Sequence, residues 1–107
     1  MRYILQYSKR AVQDLDRVFA EVLEASQDWE TAQNYLDDLL EKVEKKADYP
    51  RSASPLYYED LFTGYYFIVF KAYLVFYRLE KDRMLIDRVL YRRSDYMRTL
   101  FDAFDTE

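Results

Sequence analysis

The arginines and tyrosines toward the end of this chain are the side chains best suited to chemistry. The run Ile86-Asp87-Arg88-Val89-Leu90-Tyr91-Arg92-Arg93-Ser94-Asp95-Tyr96 sets Arg88, Arg92 and Arg93 around Tyr91. The chain has no His and no Cys, so any reaction it performs must use Arg, Lys, Tyr or carboxylates. The planar fork of arginine holds a phosphate at two oxygens and keeps its charge. Tyrosine has a reference pKa of about 10 and takes a proton at neutral pH only if nearby cations lower that value. Arg88, Tyr91 and Arg93 are therefore the candidate catalytic set. Arg92, and Arg78 from a neighbouring strand, are candidate substrate contacts. A plainer reading competes. Arg92 and Arg93 would be solvated strand-end charges, or partners of Asp95 or Glu80. Arg78 and Arg88 would lie across a sheet on their long stems, and Tyr91 would pack between strands.

Composition bounds what these residues can belong to. A length of 107 residues suits a single domain spanning 1–107 with one core. Half the residues are hydrophobic and one is Gly, so the chain reads as globular rather than disordered. No apolar run approaches the roughly 20 residues of a membrane helix. The opening Met1-Arg2-Tyr3-Ile4-Leu5-Gln6-Tyr7 lacks the apolar core of a signal peptide. A cytoplasmic location with no membrane partner is expected. Lack of Cys and His argues against disulfides and a zinc site, and no metal or cofactor is implied. The net charge is −4. The basic residues Arg78, Lys81, Arg83, Arg88, Arg92, Arg93 and Arg98 form the one local positive stretch. An acidic chain is not a general nucleic-acid binder, because long-range attraction to phosphate favours a basic domain.

The elements that would position these residues follow from periodicity. Arg2 to Tyr7 reads as a strand, with Tyr3, Leu5 and Tyr7 on one face. Ser8 is placed to cap a helix carrying Ala11, Val12, Leu15, Val18, Phe19, Val22 and Leu23 at helical spacing. Asp14, Asp16, Arg17, Glu21 and Glu24 fall on its other, solvated face. After the break Ser26-Gln27-Asp28, a second helix carries Trp29, Ala32, Tyr35, Leu36, Leu39, Leu40, Val43 and Ala47. Glu41 and Lys45 form an i,i+4 pair along it. Pro50 and Pro55 end the helical region. A long connection runs from Tyr49 to Gly64, with a turn of helix around Tyr58 to Phe62.

The period then changes. Tyr65 to Phe70 and Tyr73 to Leu79 have the aromatic and β-branched content of central strands. Lys71-Ala72 is the turn between them, and Glu80 to Arg83 turns into a third strand, Met84 to Tyr91. Alternation puts Arg88 with Met84 and Ile86, and Tyr91 opposite with Val89 and Leu85. Ser94 onward, with Met97, Leu100, Phe101 and Phe104, reads as a short helix. The predicted fold class is α+β in the order β-α-α-β-β-β-α, an antiparallel sheet packed against a helical hairpin.

The ordered pieces resemble the RelE/ParE toxins of bacterial type II toxin–antitoxin systems. Tyr7-Ser8 with Ala11 and Asp14-Leu15 is similar to the family's strand-to-helix junction. Ser54-Pro55-Leu56-Tyr57 resembles the loop before its sheet. Gly64-Tyr65, Lys71 and Tyr73-Leu74-Val75-Phe76-Tyr77-Arg78 resemble its central hairpin. Arg88-Val89-Leu90-Tyr91 with Arg93 and Asp95 resembles its closing strand. Many members carry basic residues after Gly-Tyr, where this chain has Tyr66 and Phe67. The tail Tyr-Gly-Arg-Arg-Asp is here Tyr91-Arg92-Arg93-Ser94-Asp95.

The resemblance implies a toxin held in a heteromeric complex with a cognate antitoxin. It also implies one of two targets, of which the Arg/Tyr cluster favours the first, with gyrase inhibition as the alternative. RelE-like members cleave mRNA on the ribosome without a metal, which would use Arg88, Tyr91 and Arg93. ParE-like members inhibit DNA gyrase and cleave nothing themselves. A third outcome is an attenuated relative that keeps only partner binding. Exposed Trp29, Tyr35 or Phe101 would anchor an antitoxin segment on the helical hairpin or the sheet.

Overall fold

The computed structural model describes residues 2–101. A short strand β1 (Ile4–Tyr7) leads into helix α1 (Lys9–Ser26). The Ser8 side chain accepts the Ala11 N–H at 3.0 Å, satisfying one of the free donors at the helix start. Gln27, at φ 57°, ends α1 in the left-handed conformation and returns its N–H to the Leu23 carbonyl. The Asp28 carboxylate accepts the Thr31 N–H and opens α2 (Trp29–Lys46). The two helices form the expected hairpin, with Ala11 and Val18 of α1 and Leu39 and Val43 of α2 fully buried.

After a 3-10 turn at Pro50–Ser52 come four strands. They are β2 (Ser54–Tyr58), β3 (Leu61–Phe70), β4 (Tyr73–Glu80) and β5 (Arg83–Tyr91). The sheet runs β1-β5-β4-β3-β2. It is antiparallel, as expected, with β1 joining it parallel to β5. β2 is a further strand, paired with β3. The segment 54–58 was expected to be connection, and 58–62 a turn of helix; both belong to a β2–β3 hairpin. Its tight turn at Glu59-Asp60 holds Glu59 at φ 56°. Pro55 is compatible with β2 because an edge strand need not donate on its outer side.

The sheet has two covered faces. One packs Ile68, Phe70, Tyr73, Val75, Tyr77, Met84, Ile86 and Val89 against the helical hairpin. Burying each of the aliphatic side chains contributes about 1.5–3 kcal/mol. The other face gathers Leu56, Leu74, Phe76 and Leu90 beneath Tyr96, Met97 and Leu100 of helix α3 (Tyr96–Leu100) or its approach. The expected residue Phe104 lies outside the described residues. Among those residues no helix is long and apolar enough to cross a membrane.

Two irregularities re-aim side chains. In β5, Ile86 faces Tyr77 and Arg88 faces Phe76, so Asp87 is an extra residue. This bulge resets the alternation. Val89 joins Met84 and Ile86 on the hairpin face, and Tyr91 follows it, its ring 6.0 Å from that of Tyr73. Arg88 lies opposite Phe76, a residue of the α3 face. The predicted grouping of Arg88 with Met84 and Ile86, and of Tyr91 with Leu85, is therefore reversed. In β3 the register slips across Thr63–Tyr65, opposite Leu56, with Gly64 at φ 91°.

Candidate functional site

Strand β5 outruns its neighbour. β1 pairs with it only as far as Tyr7 opposite Ile86, leaving the edge of 87–91 without a strand partner. Helix α1 supplies the missing partners with side chains. The Ser8 hydroxyl donates to the Asp87 carbonyl at 2.8 Å. The Asp14 carboxylate accepts the Val89 N–H at 2.9 Å, and Arg17 donates to the Val89 carbonyl at 2.9 Å.

Asp14 is thereby buried, with 2% exposure, which corrects its assignment to a solvated face. Arg88 grips the same carboxylate in a two-point pair, Nε to Oδ2 at 2.8 Å and Nη2 to Oδ1 at 3.1 Å. Arg17 adds a third cationic bond at 2.8 Å. Burial alone would raise the Asp14 pKa. The Arg88 hydrogen bonds, the Val89 N–H, Arg17 and the Arg88 charge outweigh it and hold the group below the usual carboxylate value. The sequence did carry a sign of this. Asp14 sits among Ala11, Leu15 and Val18 on one stripe of α1, and a carboxylate on an inward stripe must be paired.

A second cluster lies on the α3 face. The extra residue Asp87 accepts the Tyr65 hydroxyl at 2.9 Å and Arg78 Nε at 2.8 Å. The Arg78 guanidinium also lies 6.0 Å from the centre of the Tyr65 ring. Tyr65 has its pKa pushed up to about 12, first by burial and then by Asp87, against the opposing charges of Arg78 and Arg88. Ser8, Lys9, Arg10, Tyr65, Asp87, Arg88, Thr99 and Leu100 line a cleft of about 250 Å³ here. Lys9 and Arg10 are exposed and have no carboxylate partner among the described residues.

The five predicted site residues divide between places. Arg88 and Arg78 share the α3 face with Tyr65 and Asp87. Tyr91 is half exposed on the hairpin face. Arg92 lies past the end of β5 and donates to the Lys71 carbonyl at 3.1 Å. Arg93 is exposed, with no hydrogen bond or ion pair among the described residues. The geometry thus joins Arg78 and Arg88 through Asp87 and Tyr65, and does not bring Tyr91 or Arg93 to them. Asp14, Tyr65 and Asp87, none of them among the five predicted residues, hold these two clusters together.

This arrangement of helical hairpin, five-stranded sheet and short closing helix is the fold of the RelE/ParE toxins. Several solved chains share it, these two among them. One is the chromosomal ParDE toxin–antitoxin system from P. aeruginosa, with a TM-score of 0.71 at 16% identity, covering 84% of this chain and 96% of that one. The other is the RelBE2 toxin–antitoxin complex from Mycobacterium tuberculosis, with a TM-score of 0.55 at 20% identity, covering 86% of this chain and 100% of that one. A comparison with curated proteins finds no match. The family model described as the ParE toxin of the type II toxin–antitoxin system parDE matches residues 5–96. This chain belongs to that family and is a toxin of a type II toxin–antitoxin system.

Proposed function

We propose that this toxin arrests growth by binding DNA gyrase, without cutting RNA itself, and that a cognate antitoxin holds it inactive in a heteromeric complex. One observation carries the reading: the groups on the α3 face that cleavage would need are already committed to carboxylates. Cleaving RNA through its 2′-OH takes a proton acceptor, a proton donor and positive charge at the phosphate. Arg88 is tied to Asp14 and Arg78 to Asp87. Tyr65 keeps its proton at neutral pH, because its pKa lies near 12. Tyr91, the other tyrosine considered as a base, is on the opposite face of the sheet. Inhibition by binding requires a stable, shaped surface and none of these groups.

A second reading, ribosome-linked mRNA cleavage, is favoured by Lys9 and Arg10 at the mouth of the cleft beside Arg88. Purified components separate the two. The chain is expected to block supercoiling of plasmid by purified gyrase and to leave mRNA intact in a translating extract. Tyr91→Phe combined with Arg93→Ala is expected to inhibit as the parent does, since both side chains are exposed and neither belongs to the fixed clusters. Cleaved mRNA with gyrase unaffected would overturn the proposal.

A further inference from the structure

Strand β3 also outruns its neighbour. β2 pairs with it no further than Ser54 opposite Phe67, yet β3 continues to Phe70. Val69 lies on that open edge. Its carbonyl turns away from β4 and accepts Lys42 Nζ at 2.7 Å. In an antiparallel strand the N–H and C=O of one residue point to the same side, so the Val69 N–H faces the open edge too. A cleft of about 250 Å³ lies there, lined by Lys42 and Lys46 of α2, Ser52 of the 3-10 turn, Ser54 and Val69. It shares no residue with the cleft at Arg88.

Both cations in this cleft are held by neutral oxygens. Lys42 rests on the Val69 carbonyl. Lys46 donates to the Ser52 hydroxyl at 3.1 Å, and that hydroxyl itself donates to the Tyr49 carbonyl at 2.7 Å. An ammonium carries three donors, so one such bond fixes its position and leaves others to give. Neutral acceptors do this without cancelling the charge. The carboxylates on the same stretch of chain are engaged elsewhere. Glu41 pairs with Lys45 at 3.8 Å, and Arg2 pairs with Glu44 and Asp48. No carboxylate lines the cleft among the described residues. The helix dipole favours a lysine in the last turn of α2. It does not call for two that converge. Ammonium groups at i and i+4 repel each other, and an anion between them removes that repulsion.

We propose that this cleft binds a phosphate group. Lys42 and Lys46 supply the charge, and the Val69 N–H and the Ser54 hydroxyl supply further donors. Donors reach the cleft from a helix, a strand edge and the start of β2. A carboxylate presents two oxygens to such a set, whereas a phosphate group presents three or more. A free phosphate and a nucleic-acid backbone share this chemistry, and the test separates them. The site stands whichever target the toxin acts on.

Amide NMR of the full chain in chloride buffer tests this, with inorganic phosphate and then a short DNA duplex as the titrant. The Val69 and Ser54 signals are expected to shift and to saturate. Lys42→Gln and Lys46→Gln are each expected to weaken binding about 10-fold, the worth of one hydrogen bond to a charged group. Lys46→Arg keeps the charge and is expected to restore most of it. Lys45→Gln removes the neighbouring charge but does not line the cleft, and is expected to bind as the parent. Saturation by the duplex assigns the site to a nucleic-acid backbone. Saturation by inorganic phosphate alone assigns it to a free phosphate. Shifts that are absent with both titrants, or that grow without saturating, would overturn the site. Equal weakening in Lys45→Gln and Lys46→Gln would reduce it to general charge attraction and overturn it as well.

Discussion

Replacing Asp14 by Ala would leave the Arg88 guanidinium and the Val89 N–H facing a buried gap. Removing one partner of a buried ion pair costs about 3–5 kcal/mol, more than the intact pair contributes. A urea melt of Asp14→Ala is expected to show that loss as a lower midpoint at unchanged slope. The same residue sets the acid limb of stability. Its folded pKa lies below the unfolded one. Its contribution is therefore complete above pH of about 4, and is lost as pH falls through the lower folded value. The variant should lack that part of the acid loss. Arg88→Ala would destabilise for the reciprocal reason, so lost toxicity in it would say nothing about catalysis. The arginines and Tyr91 were legible as chemistry-bearing residues. Asp14 was legible only as a carboxylate on an inward stripe that must be paired; that its partner is Arg88 was not, since the two lie far apart in sequence.

At the level of elements, the two bulges decide which side chains meet. Gly64 sits at φ 91° in the β3 slip, and a Cβ added there meets nothing within 4 Å. The expected cost of Gly64→Ala is thus conformational, about 1–2 kcal/mol for a left-handed backbone, and a thermal melt measures it. The long strands β3, β4 and β5 could be read from their aromatic and β-branched runs. β2 could not. Its burial pattern leaves only Leu56 inside, and Pro55 argues against a strand unless the edge position is known. The Asp87 bulge was equally hidden. Alternation continued past it assigns Arg88 and Tyr91 to the wrong faces, because one extra residue moves every later side chain across the sheet.

For the whole molecule, the order of elements and the spacing of Tyr7-Ser8, Gly64-Tyr65 and Arg88 to Asp95 were enough to place the chain among the RelE/ParE toxins. The target is a different matter, because one fold serves both activities. It turns on whether the α3 face can move protons at a phosphate. Arg78, Arg88 and Tyr65 are each bound to a carboxylate, which is why we propose that growth arrest comes from binding gyrase. Pulse-labelling of cells just after the toxin is induced tests that claim most directly. The account predicts that thymidine incorporation falls first while amino-acid incorporation continues. An early collapse of amino-acid incorporation, with thymidine uptake still running, would contradict it.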